Sequence, residues 1–213
     1  MNELDEPERR MRFVLDMRTA GVTDARVLAA LEVTPRAHFA PRQFAQLALD
    51  DVDLPIEGGQ IMTKPSVVGR MLAALGATSD DGVLEVGMGS GFQTAALATL
   101  ARRVTALDRR RALVVEARAK LAALSLPIVR AHVGDGRLGF AANAPYERII
   151  VNAAALAAPL ALLDQLAPGG VLVAPIGEGD RVRLMRFKRG AAAPEDLGPI
   201  KFGPLEEGLA EEE

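Results

Sequence analysis

Two features of the chain carry residues of a type and spacing that could do chemistry. The first is GVLEVGMGSG at Gly82–Gly91, where the apolar, branched run of Val83, Leu84 and Val86 breaks into Gly87-Met88-Gly89-Ser90-Gly91 just before a helical pattern opens at Phe92. A strand that ends in a glycine-rich turn at a helix N-terminus lets a ligand approach bare backbone and its free N–H groups. Glu85 interrupts the apolar run. A carboxylate is seldom placed there for packing, so it is expected to serve the loop or the ligand. The second feature is Asp108, which closes the apolar stretch Val104–Leu107 beyond the helix expected at Phe92–Ala101. In doubly wound folds a carboxylate in that place accepts hydrogen bonds from ribose hydroxyls. Each feature alone has a plain structural explanation, a glycine-rich corner and a solvated acid. Strand, turn, helix and acid in this order favour a nucleoside-type ligand.

The glycine spacing narrows that ligand. A dinucleotide fingerprint runs G-x-G-x-x-G, and the position of its third glycine is held here by Phe92. No Gly-Lys-Ser/Thr follows, so a P-loop is excluded as well. A nicotinamide oxidoreductase is correspondingly disfavoured.

The elements that must position these residues alternate between two periods. Apolar runs at Val83–Val86, Val104–Leu107, Ile128–Val133, Arg148–Val151, Val171–Ala174 and Val182–Phe187 predict strands. Between them, Leu113, Val114, Ala117 and Leu121, and then Leu160, Leu163 and Leu166, fall at helical spacing, with Pro168-Gly169-Gly170 closing the second helix. Such alternation argues for a parallel sheet. Residues 1–55 read as a helical N-terminal portion, with Asp24 as N-cap of a helix carrying Val27, Leu28 and Leu31. The stretch 56–77 holds the rest of the turn-rich LPIEGGQIMTKP and a helix with Val67, Val68, Met71, Leu72 and Leu75 on one face, ending at Gly76. Residues 78–190 form the α/β core and 191–213 a C-terminal segment, all within one structural domain. Five glutamates fall among the eight residues from Glu206, which reads as a solvated, frayed tail.

Composition excludes several classes. The 213 residues are enough to bury a substantial core, and 49% are apolar without any run near the ~18 that a membrane span needs. The first ten residues, MNELDEPERR, are charged and lack the apolar stretch of a signal peptide, so the expected address is the cytoplasm. There is no cysteine, and the two histidines, His38 and His132, lack partners at ligand or triad spacing; no metal is expected, and both are read as structural or exposed. Tyr146 is read as packing at the start of its strand. A net charge of -3 gives no reason to expect nucleic-acid binding, and a monomer is expected.

E-x-G-x-G-x-G followed by an acid at the end of the second strand resembles the S-adenosylmethionine-binding core of methyltransferases. Other segments make the resemblance more specific. VLAALEVTPRAHFAP resembles a helix followed by Pro-Arg-x-x-Phe, and LPIEGGQIMTKP resembles L-P-I-G-x-G-Q-T-I-S-Q-P, both of the protein-L-isoaspartate O-methyltransferases. VGDG at Val133–Gly136, APYERIIVNAAA, LDQLAPGGVLVAPIG and IKFGPL match that family's later motifs in order. The resemblance covers nearly the whole chain. It implies a Rossmann-like α/β methyltransferase fold, a doubly wound, mostly parallel sheet with a helical N-terminal portion. It also implies methyl transfer from S-adenosylmethionine, leaving S-adenosylhomocysteine, to the α-carboxylate of L-isoaspartyl residues in damaged proteins. The ester formed in that family cyclises to a succinimide that reopens partly to aspartate.

Carried over position by position, the resemblance places Glu85, Gly87, Met88, Gly89 and Gly91 in the cofactor loop and Asp108 on the ribose, with Arg109 beside it. Asp135 and Gly136 would lie against the adenine. The Arg109–Arg111 run otherwise reads as a solvated helix start. Gln60 and Thr63 are the candidate catalytic residues, and Ile61, Met62, Lys64 and Asn152 would face the substrate. This chain has Thr63 where the family has Ser, Lys64 for Gln, Ile61-Met62 for Thr-Ile, Asn152 for Thr, and Gly203 for a bulky apolar residue. Lys64 is read either as a partner of the substrate carboxylate or as a surface lysine. The departures leave two other functions open: a methyltransferase with a different substrate, and a non-catalytic S-adenosylmethionine-binding protein.

Overall fold

The computed structural model describes residues 6–211. Three helices open the chain: α1 (Glu6–Thr19), α2 (Ala25–Val33) and the single turn α3 (Arg36–Phe39). Asp24 caps α2 by accepting from the N–H groups of Arg26 and Val27, as its sequence position predicts. Next come two short strands, β1 (Leu54–Ile56) and β2 (Gln60–Met62), which pair antiparallel, and α4 (Pro65–Leu75), which ends on left-handed Gly76. The core then runs β3 (Gly82–Val86), α5 (Phe92–Leu100), β4 (Arg103–Asp108), α6 (Arg111–Ala123), β5 (Val129–Val133), β6 (Tyr146–Val151), α7 (Leu160–Leu163), β7 (Leu166–Ile176), β8 (Arg183–Lys188) and β9 (Glu195–Pro199).

The central sheet has seven strands in the order β5-β4-β3-β6-β7-β8-β9, parallel from β5 to β7 and antiparallel at β8 and β9. After β3 the chain builds outward through β4 and β5, then returns to place β6 on the other side of β3. That reversal is the switch point at which open α/β sheets form a ligand crevice. The strands alternate strictly between faces. Val83, Ile150 and Val173 join a core with Phe13, Leu28, Phe39, Leu72, Leu97 and Val114, which come from α1 to α6 in turn. Leu84, Ile149 and Leu172 point the other way, into a smaller core with Leu162 of α7 and partly buried Phe140. By register Glu85 lies between Ala106 and Ile150, on the face of the larger core and under α5.

The structure corrects four expectations. LPIEGGQIM forms a hairpin rather than irregular chain, because Gly58 at φ 67° and Gly59 at φ 66° turn three residues back on three. The helix at Leu160 stops at Leu163, since Leu166 pairs with Tyr146 and belongs to β7. Pro168-Gly169-Gly170 therefore lies inside a strand, at the register shift between Tyr146 and Arg148. A Cβ at Gly170 would sit 2.9 Å from the Ala167 carbonyl, so only glycine closes that bulge. The tail is also not frayed as far as Ala210: the Gly208 N–H donates to Asp135 Oδ2 at 2.8 Å and the Ala210 N–H to the Arg109 carbonyl at 3.1 Å. Glu212 and Glu213 lie outside the described residues. Among the described residues, no helix is long and apolar enough to cross a membrane.

Candidate functional site

A cavity opens at the C-terminal ends of β3, β4 and β6, walled by several chain segments. The turn between β3 and α5 contributes Gly87, Met88 and Gly89, and the end of β4 contributes Asp108 and Arg109. The hairpin side contributes Gln60, Ile61, Met62 and Thr63, while Gly136 and Asn152 come from beyond β5 and β6. These candidates, far apart in sequence, are brought together. Four others are not on the cavity wall: Glu85, Gly91, Lys64 and Asp135.

The turn owes its shape to three glycines at positive φ, Gly87, Gly89 and Gly91. Its N–H groups are less free than the motif suggests. Gly87 and Met88 both donate to the Leu107 carbonyl, Gly91 to the Met88 carbonyl, and Gly89 to Asp108 Oδ2 at 2.9 Å. Asp108 Oδ1 accepts from the Arg110 N–H at 3.0 Å. Asp108 thus ties the glycine turn to the start of α6, and each of its oxygens keeps a second lone pair for a ligand. Burial raises its pKa, opposed by the backbone N–H groups of Arg110 and Gly89. Gly91 faces inward, where a Cβ would meet Ala117 at 3.2 Å.

Behind the turn lies a closed polar network. Glu85 is fully buried; Oε2 accepts from Thr94 Oγ1 at 2.5 Å, and Oε1 accepts from Gln93 Nε2 at 3.1 Å and Asn152 Nδ2 at 3.2 Å. Loss of water pushes its pKa up to about 8, with the hydrogen bonds from Thr94, Gln93 and Asn152 acting the other way. Glu85 therefore supports the cavity from behind, through Gln93 and Asn152, which do line it.

The hairpin side is organised differently. Gln60 and Ile61 are exposed, while Met62 is buried against the core. Gln60 Nε2 donates to the Gly58 carbonyl at 3.2 Å. Lys64 does not reach the cavity: its Nζ pairs with Asp51 at 3.5 Å, and its N–H donates to Asp53 Oδ1 at 2.8 Å. Asp51 also accepts from the N–H and hydroxyl of Ser66, which anchors the start of α4. Arg36, only 2% exposed, spreads its guanidinium over the carbonyls of Ala48, Asp50, Val52 and Thr63 and stands 5.7 Å from the Phe92 ring centroid. Burial lowers its pKa to about 10, against the pull of Asp51, Asp53 and Asp50.

The arginines after Asp108 are not simply a solvated helix start. Arg109 pairs with Glu206 and donates to the carbonyls of Glu207, Gly208 and Leu209. Arg110 packs over the hairpin turn, where a Cβ on Gly58 would meet its Nη1 at 3.1 Å. Asp135 is occupied by the N–H groups of Arg137 and Gly208, so its neighbour Gly136 is the one that reaches the cavity. His38 contacts the Lys120 carbonyl at 2.9 Å, and His132 stacks on Phe140 at 4.3 Å. Tyr146 is fully buried and donates to the Phe140 carbonyl at 2.7 Å. Among the lining residues not expected from the sequence are Gln93, Arg110, Leu205 and Glu206. For Gln93 the available signal was its place one residue into the helix after the glycine turn.

A nucleoside-binding crevice at the switch point of a mostly parallel sheet, with a glycine turn whose N–H groups are largely committed inside the protein, suits a ligand without a pyrophosphate. The residues fit S-adenosylmethionine: apolar Met88, Leu107, Leu113 and Leu205 for a base, Asp108 for ribose hydroxyls, and Gln93 and Asn152 at the inner end. This defines an S-adenosylmethionine-dependent methyltransferase of Rossmann-like fold. Residues 8–208 match the family described as protein-L-isoaspartate(D-aspartate) O-methyltransferase. A protein-L-isoaspartate O-methyltransferase of Paracoccus denitrificans is 46% identical over 97% of this chain and 99% of its own length. One from Xanthobacter autotrophicus is 45% identical over 96% of this chain and 95% of its own. The chain belongs to the protein-L-isoaspartate O-methyltransferase family. Solved structures agree on the fold. One protein-L-isoaspartate O-methyltransferase superposes with a TM-score of 0.80 at 21% identity, covering 94% of this chain and 67% of its own. A Plasmodium falciparum chain assigned to the same enzyme class, in complex with S-adenosyl-L-homocysteine, gives 0.77 at 19% identity, covering 92% and 97%.

Proposed function

We propose that this enzyme methylates the α-carboxylate of L-isoaspartyl residues in damaged polypeptides, and that Thr63 and Gln60 present that carboxylate to the cofactor. The observation that carries the reading is the meeting of two separate segments, Gln60–Thr63 and Gly87–Gly89, on one cavity. When bound, S-adenosylmethionine supplies a methyl group on an already activated sulfonium.

The protein is left with a task of placement. A substrate carboxylate with a reference pKa near ~3.9 is ionised at neutral pH, so no general base is required. What matters is a short, in-line approach. The Thr63 hydroxyl supplies a hydrogen-bond donor to a carboxylate oxygen, and the Arg36 contact with the Thr63 carbonyl fixes the backbone that carries it. Gln60 offers an amide to the polypeptide backbone. Ile61, 59% exposed, gives the flanking residues an apolar surface. Met88, Asp108 and Gly136 hold the adenosyl end, while Arg109 and Asp135 secure the segment that covers it. Lys64, engaged by Asp51, acts on the hairpin rather than on the substrate. The enzyme works as a monomer on cytoplasmic proteins.

The test is a pair of peptides that differ only in one aspartyl linkage, incubated with methyl-labelled cofactor. Label on the isoaspartyl peptide alone is the expected result. Equal labelling of both, or of neither while the cofactor still binds, overturns the assignment.

A further inference from the structure

The polar network behind the glycine turn has a direction, and it ends in the cavity. Its fixed point is the Gly87 carbonyl, a backbone group that can only accept. Asn152 presents Nδ2 to it at 3.0 Å, so the orientation of the Asn152 amide is settled. Asn152 Oδ1 must then face Gln93, and it accepts from Gln93 Nε2 at 2.9 Å. The other hydrogen on Gln93 Nε2 goes to Glu85. Both donors of Gln93 are thereby spent on the protein. Gln93 is only 7% exposed, yet it lines the cavity. What it offers there is the carbonyl oxygen Oε1, an acceptor with no capacity to donate.

We infer that Gln93 Oε1 is the acceptor for the α-ammonium group of the methionine moiety of S-adenosylmethionine. The inference rests on the cofactor assignment above. A buried acceptor whose amide cannot turn over requires a donor, and the ammonium is the strongest donor in the ligand. A charged donor to a fixed carbonyl makes a stronger bond than a neutral one. Gly87 acts at one remove, as a positioning group: its carbonyl sets Asn152, and Asn152 sets Gln93.

The test uses calorimetry on two ligands, S-adenosylhomocysteine and its analogue lacking the α-amino group. Gln93→Met keeps the volume and removes the acceptor. The expected result is a loss of about tenfold or more in affinity for S-adenosylhomocysteine, with less than about a twofold change for the deaminated analogue. Asn152→Ala leaves Gln93 in place but removes its anchor, and it should forfeit part of the same discrimination. Comparing two ligands on one preparation makes the ratio independent of how much of a variant has folded. Equal weakening of both ligands by either variant, or no weakening by Gln93→Met, overturns the inference while leaving the methyltransferase reading intact. Failure of the wild-type protein to bind either ligand overturns both.

Discussion

On the inner wall of the cavity, Gly89, Gln93, Asp108 and Asn152 are hydrogen-bonded to one another's segments and largely removed from water. Across the cavity, Gln60 and Ile61 stand exposed on a two-stranded hairpin whose order is imposed by Asp51, Asp53 and Arg36 beneath it. The inner wall carries its own scaffold, its polar groups held by hydrogen bonds within the protein. The hairpin wall is positioned from behind by Asp51, Asp53 and Arg36, which do not line the cavity. The departures from the family motifs cluster there, at Ile61, Met62, Thr63 and the adjoining Lys64, with Asn152 the one on the inner wall.

The largest effect that would sharpen this contrast belongs to Glu85. With its pKa at about 8, the folded protein keeps this proton while the unfolded chain gives it up near 4.5. Stability is therefore unaffected by the group below pH ~4.5, falls as pH rises from there to about 8, and levels off above, at about 1.36 kcal/mol per pKa unit. Glu85→Gln mimics the protonated acid. Its urea-unfolding free energy should match wild type in acid and exceed it by several kcal/mol at pH 8; a constant difference across that range would show Glu85 to be ionised in the fold. Next in size is Arg36→Met, which strands buried carbonyls. It should cost about 3 kcal/mol in the same measurement, with Arg36→Lys recovering only part.

Asp108→Asn replaces one acceptor oxygen with a donor facing a backbone N–H. Affinity for S-adenosylhomocysteine should fall about thirtyfold by calorimetry, with a much smaller change in melting temperature. A loss of stability as large as the loss of binding would make Asp108 part of the scaffold alone. Thr63→Val should raise KM or lower kcat for an isoaspartyl peptide by about tenfold at unchanged cofactor affinity. If cofactor affinity falls with it, the two walls are not separable. Lys64→Ala removes a half-exposed ion pair and should alter stability by less than about 1 kcal/mol and selectivity hardly at all.

Much of the fold was legible because β3, β4, β6 and β7 are buried on both faces and read as continuous apolar runs. The hairpin was not, since its strands are three residues each and its turn consumes two glycines. Nor was β9, an edge strand of mixed polarity, EDLGP, with little apolar pattern to declare it. In the site, glycines and acids announced themselves through local spacing. Glu85 was expected to serve the loop or the ligand; its bonds to Gln93, Thr94 and Asn152 behind the cavity depend on which face of β3 it occupies. Arg110, Leu205 and Glu206 had no local signal, because their roles come from chain segments that meet only in the folded molecule.

The segment Pro204–Ala210 illustrates how late such contacts arise. It runs from Ala154, beyond the end of β6, past the cavity, to Arg109 and Asp135, joining partners 51 to 101 residues apart. Contacts across such separations form after the local ones and are lost before them. The amide protons of Gly208 and Ala210, held by Asp135 and by the Arg109 carbonyl, thus act as a clock on the cavity. Their exchange with deuterium should slow when S-adenosylhomocysteine binds, while amides in the middle of β3 keep their own, far slower time.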